Sequence, residues 1–410
     1  MDRKPRPATR TELVVHLVDG ILAGIARFAG RHLTGPYFRL KIAAAATLLS
    51  LLTMFPMYAG ITRYFQTLMG QALQRQVAHP FSPMPAELKT ASGHSGWLMV
   101  CDRYSECRVV TTQRSSDFAG EASHVDKLEL RLTRPVLGWL SGTGAWTVVV
   151  WNHLAGFGIF FLLAGAAAEA LIDPAAAALF VLGLAPTFFG SWSFNDFLIG
   201  DGVSYFLMLL AVTLRSPWLA ALSFLGAAFS DERCIIAVPL LLCYLAIRFQ
   251  APDEAAQRNR SCIALISASV AWLLLRFWLA HTLGLSAGTS DVMTKDILLF
   301  HLHESFPGPF MSVFKASWAL PAFGFLGLAA ARRWRTLSVP SASFAVAIAP
   351  ALLVWDLPRS VAYGFVVVLI SLYSLRGEKA ASRKVLAAIL VVNVLSCSPG
   401  ESVLRALRWI

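Results

Sequence analysis

Two stretches place charge where apolar runs end. SWSFNDFLIGDGVSYF (191–206) carries Asp196 and Asp201, and SFLGAAFSDERCII (223–236) carries Asp231, Glu232 and Arg233. Carboxylates can hold a divalent cation or serve as a general base. An arginine presents a planar fork that matches phosphate oxygens. Charge beside a bilayer is costly and points to a role. For any one of these residues the plain alternative is a solvated turn.

Four further charged positions join the set. SHVDKLELRLTRPVLGWLSG (123–142) holds Asp126, Arg131 and Arg134, and Arg276 interrupts an apolar run. The expected roles divide by chemistry. Asp126, Asp201, Asp231 and Glu232 are the candidate catalytic acids. Arg131, Arg134, Asp196, Arg233 and Arg276 are the candidate substrate-binding residues. Snorkelling toward headgroups is the alternative for Arg276. Asn152 and His153 interrupt another apolar run, where an interhelical hydrogen bond is their simplest use. HLHES offers His301, His303 and Glu304, but two histidines at i, i+2 face opposite sides of a helix, a weak metal set. Of the six cysteines, Cys101 and Cys107 share one hydrophilic segment and could close a small disulfide in an oxidising compartment.

The elements that must carry these residues are apolar helices. Of 410 residues, 56% are hydrophobic and 14% charged. A soluble chain carries about 25% charged residues. The composition therefore implies an all-α, polytopic transmembrane bundle. Residues 1–42 form a basic segment with an amphipathic helix suited to the cytoplasmic leaflet. A first span follows at 43–61. A hydrophilic loop, 62–142, ends in a second amphipathic surface helix, broken or restarted at Pro135. A multi-span domain fills 143–398, and 399–410 is a short tail. About eleven apolar runs are counted, at 43–61, 144–170, 174–193, 202–214, 217–230, 234–248, 262–280, 316–331, 340–355, 360–375 and 384–398.

Charge orients them. With the N-terminus cytoplasmic, short inner loops hold Arg215, Arg248, Arg258, Arg260, Arg332, Arg333, Arg335, Arg376, Lys379, Arg383 and Lys384. Short outer loops hold Arg233, Lys295, Lys315 and Arg359. This follows the positive-inside rule and explains the net charge of +11 without nucleic acid. The 62–142 loop is then external. Parity brings Asn195–Asp201, Asp231–Arg233, the 283–315 loop, Asp356 and Arg359 to that same outer face. The expectation is a water-accessible, mixed-charge cavity there. Arg276 and Arg233 would meet a lipid-linked phosphate, and Asp201, Asp231 or Glu232 a metal or an acceptor. Trp192, Phe194, Phe197, Tyr205 and Trp355 crowd the same faces, as an interfacial aromatic belt would.

This layout resembles the GT-C class of multi-span glycosyltransferases. The likeness covers roughly 40–250 and rests on topology: a cytoplasmic N-terminus, one span, a large external loop with a surface helix, then many short spans. The Arg134-Pro135-x-Leu137 run, the acid Asp201 opening a span and the Ser230–Arg233 turn are similar to features of bacterial members. The resemblance implies transfer of a sugar from a polyprenyl-phosphate-linked donor at the outer face of a bacterial inner membrane. It leaves the cofactor open, a divalent cation included. It also implies an acidic pair soon after the first span, yet no acid precedes Glu87 in the loop. The alternatives are a non-enzymatic transporter or flippase and a structural partner in envelope polysaccharide assembly. No internal repeat speaks for the transporter.

The charge asymmetry makes a direct prediction. In a background lacking the native cysteines, Ser95→Cys should react with a membrane-impermeant thiol reagent in intact cells. Reaction only after lysis would reverse the orientation.

Overall fold

The computed structural model describes residues 10–54, 131–141, 147–195, 201–283, 295–301, 307–354, 356–377 and 379–397. The body of the hydrophilic loop, with Asp126, Cys101 and Cys107, lies outside them, as do Asp196, His303, Glu304 and the tail. The described residues are helical, with no β-strand among them.

The chain opens with α1 (Arg10–His32) and a helix at 38–54, α2. After the hydrophilic segment come α3 (Thr133–Ser141) and α4 (Thr147–Leu171). Asp173 then caps α5 (Pro174–Leu184), its carboxylate accepting from Ala175 N at 3.0 Å while Pro174 takes the first helical turn. Both choices suit an N-terminus, where backbone donors lack partners and proline loses nothing. A bend of 73° separates α5 from α6 (Phe188–Asn195). Gly190 is required at that bend, because a Cβ there would strike the carbonyl oxygens of Leu184 and Ala185.

Then follow α7 (Asp201–Thr213), α8 (Pro217–Ser230), α9 (Arg233–Ile236), α10 (Val238–Arg248) and the long α11 (Ala255–Leu283). The last third holds α12 (Lys295–Phe300), α13 (Gly308–Ser312), α14 (Ala319–Ala330), α15 (Trp334–Ile348), α16 (Leu357–Ala362), α17 (Val366–Leu372) and α18 (Lys379–Leu395). Short 3-10 turns link several of these, so that 357–375 runs on as one apolar helical rod.

That rod is the centre of the bundle, with 83% of its apolar window buried inside the protein. It packs on α4, α10 and α14. By contrast α11 is equally apolar yet only 28% buried. It turns Ile263, Leu274, Phe277 and Trp278 outward. An apolar helix left uncovered by protein needs another apolar phase, which a bilayer supplies. Among the described residues, four helices are long and apolar enough to cross a membrane, or five if the bent pair α5–α6 is one span. The chain is thus a helical protein with several membrane-competent spans.

The expected count of eleven crossings is not reached by length. Helices α7, α8 and α10 are apolar but short. The 13 residues of α7 rise about 20 Å, against a hydrocarbon core of about 30 Å. Pro217, Pro239 and the Asp231 turn divide the apolar stretch into these pieces.

The ion pairs fall into two groups. Arg248 pairs with Glu169, Arg383 with Asp173 and Lys384 with Asp19. All six residues belong to ends assigned inward by parity. The rest join Arg131, Asp201, Asp231, Glu232, Arg233, Asp356 and Arg359, all on ends assigned outward. Among the described residues, no ion pair links one group to the other.

Asp173 provides a test of the inner group. Burial pushes its carboxyl up, but the Arg383 hydrogen bond and charge, with the Ala176 and Ala175 amides, bring it below the ordinary 3.8. A depressed carboxyl stabilises the fold above its unfolded pKa and loses that contribution as pH falls through the folded value. Asp173→Asn keeps the cap acceptor and removes the charge, so it should lower stability at pH 7 by up to about 1 kcal/mol through the solvent-screened Arg383 pair, and by less below pH ~3.8. Thermal unfolding in detergent at both pH values checks this. An equal loss at both would assign the effect to packing.

Candidate functional site

The outer group is built around Asp201, the first residue of α7, which has no solvent exposure. Its position is set by a close crossing. Gly202 lies against the end of α6, where a Cβ would come within 2.5 Å of Ser193 O. That crossing also brings Trp192 near, and its indole Nε1 donates to Asp201 Oδ2 at 3.1 Å.

Four more donors converge on the same carboxylate. Arg359 donates through Nε to Oδ2 at 2.5 Å and through Nη2 to Oδ1 at 3.1 Å, a two-pronged contact. Arg233 Nη2 reaches Oδ1 at 3.0 Å and Tyr363 Oη donates to Oδ1 at 3.0 Å. Arg359 and Tyr363 both belong to the start of the central rod. Tyr205 Oη holds that rod in register by donating to Arg359 O at 3.2 Å. Under the charges lies an aromatic layer of Phe189, Tyr205, Tyr363 and Phe365, which keeps water from below.

Asp231 is the second centre, also without exposure. It ends α8 and begins the tight turn into α9. Its Oδ1 accepts from both the backbone N (2.9 Å) and Nε (2.8 Å) of Arg233, and its Oδ2 from Arg233 Nη2 at 2.6 Å. The spacing Asp-x-Arg makes this possible, because the turn folds the arginine back over the acid. Arg233 then spans the two acids, lies over the Tyr363 ring at 5.0 Å and donates to Ser360 Oγ at 3.2 Å. Burial pushes the Asp231 carboxyl up, but the charges of Arg131 and Arg233 and the Arg233 hydrogen bond hold it well below the usual carboxylate range.

Arg131 enters from the end of the hydrophilic segment. Thr133 Oγ1 donates to Gly226 O at 2.6 Å and so docks this segment on α8. Arg131 Nη2 then lies 2.9 Å from Asp231 Oδ2 and 3.3 Å from Glu232 Oε1. Nη2 therefore carries all of these contacts. Nε and Nη1, to either side of it, are buried with no hydrogen-bond partner. Nearby groups are similarly unfilled. Ser230 Oγ and Trp272 Nε1 are buried without partners. Arg276 is 9% exposed, lies over the Trp272 ring at 5.2 Å and feels the charges of Arg131 and Asp231. It makes no ion pair or hydrogen bond among the described residues.

The structure thus brings together Asp201, Asp231, Glu232, Arg131 and Arg233, with Arg276 beside them. Arg134 lies on α3, but its side chain, like Asp126 and Asp196, is outside the described residues. The site residues read from the sequence omit Arg359, Tyr363 and Ser360. Parity placed Arg359 on the outer face, but nothing local marked it as a partner of Asp201. The expectation of water access is corrected for the two central acids. Every oxygen of Asp201 and Asp231 faces protein donors, and neither is exposed. They are locked as anions, which suits a scaffold better than a general base. Glu232 is freer, with a side chain 13% exposed and held at 3.3 and 3.4 Å. His301 is a core residue, its Nε2 2.8 Å from Val354 O. No group of three His, Cys, Asp or Glu among the described residues is arranged to hold a metal.

Removing one partner from such a network leaves a buried charge uncompensated, which typically costs about 3–5 kcal/mol. Arg359→Leu should destabilise by that order, and Asp201→Asn with Arg359→Leu should be less damaging than Arg359→Leu alone. Unfolding midpoints of the three variants measure this. Additive losses would show that Asp201 and Arg359 do not act as a pair. Compared with family models, with curated proteins and with solved structures, the chain matches none.

Proposed function

We propose that this chain is an integral membrane protein that binds a phosphate-bearing lipid at the charged end of its bundle. There it acts as a GT-C-like glycosyltransferase, drawing a sugar from a polyprenyl-phosphate-linked donor at the outer face of a bacterial inner membrane. The eleven-crossing, N-inside topology belongs to this reading. The observation that carries it is the pair of guanidinium groups, Arg131 and Arg276, each nine-tenths buried and with donors unused. Buried cations are paired as a rule. Two beside each other, with an unfilled indole N–H and hydroxyl, are suited to an oxyanion supplied from outside.

The chemistry then assigns roles. An acceptor hydroxyl oxygen bonds to the anomeric carbon as the bond from that carbon to the phosphate oxygen breaks. The acceptor proton passes to a carboxylate, for which Glu232 is the accessible candidate. The departing polyprenyl phosphate takes up negative charge, which Arg131 and Arg276 stabilise. Asp201 and Asp231 hold Arg233 and Arg131 in place. A phosphate would meet Arg131 through Nε or Nη1, the donors that Glu232 and Asp231 leave unused, so that donor and base share one guanidinium.

The flippase or transporter alternative draws on one observation, the 73° break between α5 and α6. Broken helices are common at transporter sites. The structural-partner alternative draws on the closure around Asp201.

The test uses the full chain in detergent with a short-chain polyprenyl phosphate, followed by tryptophan fluorescence. Arg276→Leu should weaken binding about tenfold to a hundredfold, the loss of one charge-assisted contact, without lowering the unfolding midpoint. Glu232→Gln should bind normally and fail to release polyprenyl phosphate from the sugar-linked donor. Wild-type affinity in Arg276→Leu would remove the phosphate site. Normal binding with no sugar transfer by the wild type would favour the transporter.

A further inference from the structure

Helix α11 carries two stripes side by side. Leu265, Ser269, Trp272, Arg276 and Ala280 recur at helical spacing, so they share one face, and all are buried against the bundle. Ile266, Val270, Leu273 and Phe277 have the same spacing but are bare, Leu273 by 51% and Phe277 by 70%. The two stripes adjoin. Leu273 lies about 60° round the helix from Arg276, and Phe277 about 100° in the same direction. On the opposite flank Ala264 and Ala268 are covered, at 8% and 5% exposure. A chain running down α11 from Arg276 therefore finds the 266–277 side open. Arg276 sits on the boundary of the contact face, with protein to one side and uncovered hydrocarbon to the other.

The unfilled donors gather at one end of that bare stripe. Arg276 makes no ion pair or hydrogen bond among the described residues. Trp272 Nε1, Ser230 Oγ and Arg131 Nε and Nη1 are buried without partners. Ser230 is one turn from Gly226, on the face of α8 where Thr133 docks, and α8 packs on α11. By parity α11 runs outward. Arg276 then lies about 10 Å short of its outer end, and the stripe runs about 16 Å from Phe277 toward the inner side. That is the polarity of a lipid in the outer leaflet, with its headgroup outward and its chain toward the midplane.

We propose that the bare stripe of α11 seats the hydrocarbon chain of the lipid whose phosphate Arg131 and Arg276 hold, and that this lipid enters sideways from the outer leaflet. The inference rests on the phosphate reading above. It adds where the chain lies and on which side the site opens. The consequence is selection. A free phosphate, or a water-soluble sugar phosphate, would fill the donors and leave the stripe uncovered. A lipid phosphate satisfies both, because donors and stripe belong to adjoining faces of one helix.

The test is a polyprenyl phosphate with a photoactivated diazirine in its chain, irradiated with the full protein in phosphatidylcholine vesicles. Mass spectrometry maps the adducts. They should concentrate on Leu273 and Phe277, saturate, and fall about tenfold with excess unlabelled polyprenyl phosphate but not with millimolar inorganic phosphate. Leu274 and Trp278, exposed on the back of α11, should label without saturation, as bilayer contact alone would give. Leu273→Ala with Phe277→Ala should weaken polyprenyl phosphate binding about tenfold through lost apolar contact. The unfolding midpoint should not change, since both side chains are exposed. Equal, unsaturable labelling of Leu273 and Leu274 would overturn the proposal in favour of bulk lipid. Displacement by inorganic phosphate would overturn it in favour of a site open to water. If Arg276→Leu weakens binding while the wild-type adducts fall on another helix, the phosphate site stands and the chain seat is refuted. If the wild type binds no polyprenyl phosphate, both are refuted.

Discussion

An anion with no access to water must be met by donors on every oxygen, and Asp201 is such an anion. Its carboxylate receives Trp192, Arg233, Arg359 and Tyr363, drawn from α6, the α8–α9 turn and the head of the central rod. Together the donors tie the ends of three elements to one carboxylate. The network therefore does for these ends what loop packing does in a soluble bundle. Its energetics are a balance of large terms: desolvating several charges is costly, and their mutual attraction in a low dielectric offsets that cost only with good geometry. Here the geometry is good at Asp201 and Asp231 and incomplete at Arg131. Function is sought where satisfaction stops, at the unused donors of Arg131 and at Arg276.

Much of this was legible before the structure, and for physical reasons. Apolar runs and their interrupting charges are local features, so helices and their ends follow from them. Parity alone groups Asp201, Asp231, Glu232, Arg233, Asp356 and Arg359 on one face, and the ion pairs respect that grouping. What parity cannot give is partner choice. Arg359 meets Asp201 across 158 positions, and Arg131 meets Glu232 across 101. Such pairings are set by helix packing, by the Gly202 crossing and by the Thr133 anchor. The closure of the site was missed for the same reason. Charges at helix ends look solvated in sequence, and only their convergence excludes water. Span number is not legible by composition, because an apolar run divided by proline and a tight turn reads the same as two crossings.

The two ends of the bundle differ in how their charges are used. At the inner end, Asp173–Arg383 and Glu169–Arg248 each pair across one helix junction, and their partners are partly exposed. Pairs of that kind contribute little beyond orientation. At the outer end Asp201 and Asp231 are fully enclosed, and Arg131, Arg233 and Arg359 each serve two or more groups. Arg276 stacks on Trp272 and makes no ion pair among the described residues. This asymmetry gives the outer end the character of a site and the inner end that of a surface.

The account depends most on the docking of Arg131 beside Asp231, since that contact joins the hydrophilic segment to the bundle and leaves Nε and Nη1 of the guanidinium without partners. Thr133 and Gly226 are the contact points, with Thr133 Cγ2 4.0 Å from where a Cβ at 226 would lie. A Thr133→Cys, Gly226→Cys chain, with its native cysteines removed, should form an intramolecular disulfide under mild oxidation in membranes. The bond should appear as a mobility shift reversed by reductant. Failure to cross-link in a folded, normally expressed chain would contradict the placement of Arg131 and, with it, the site.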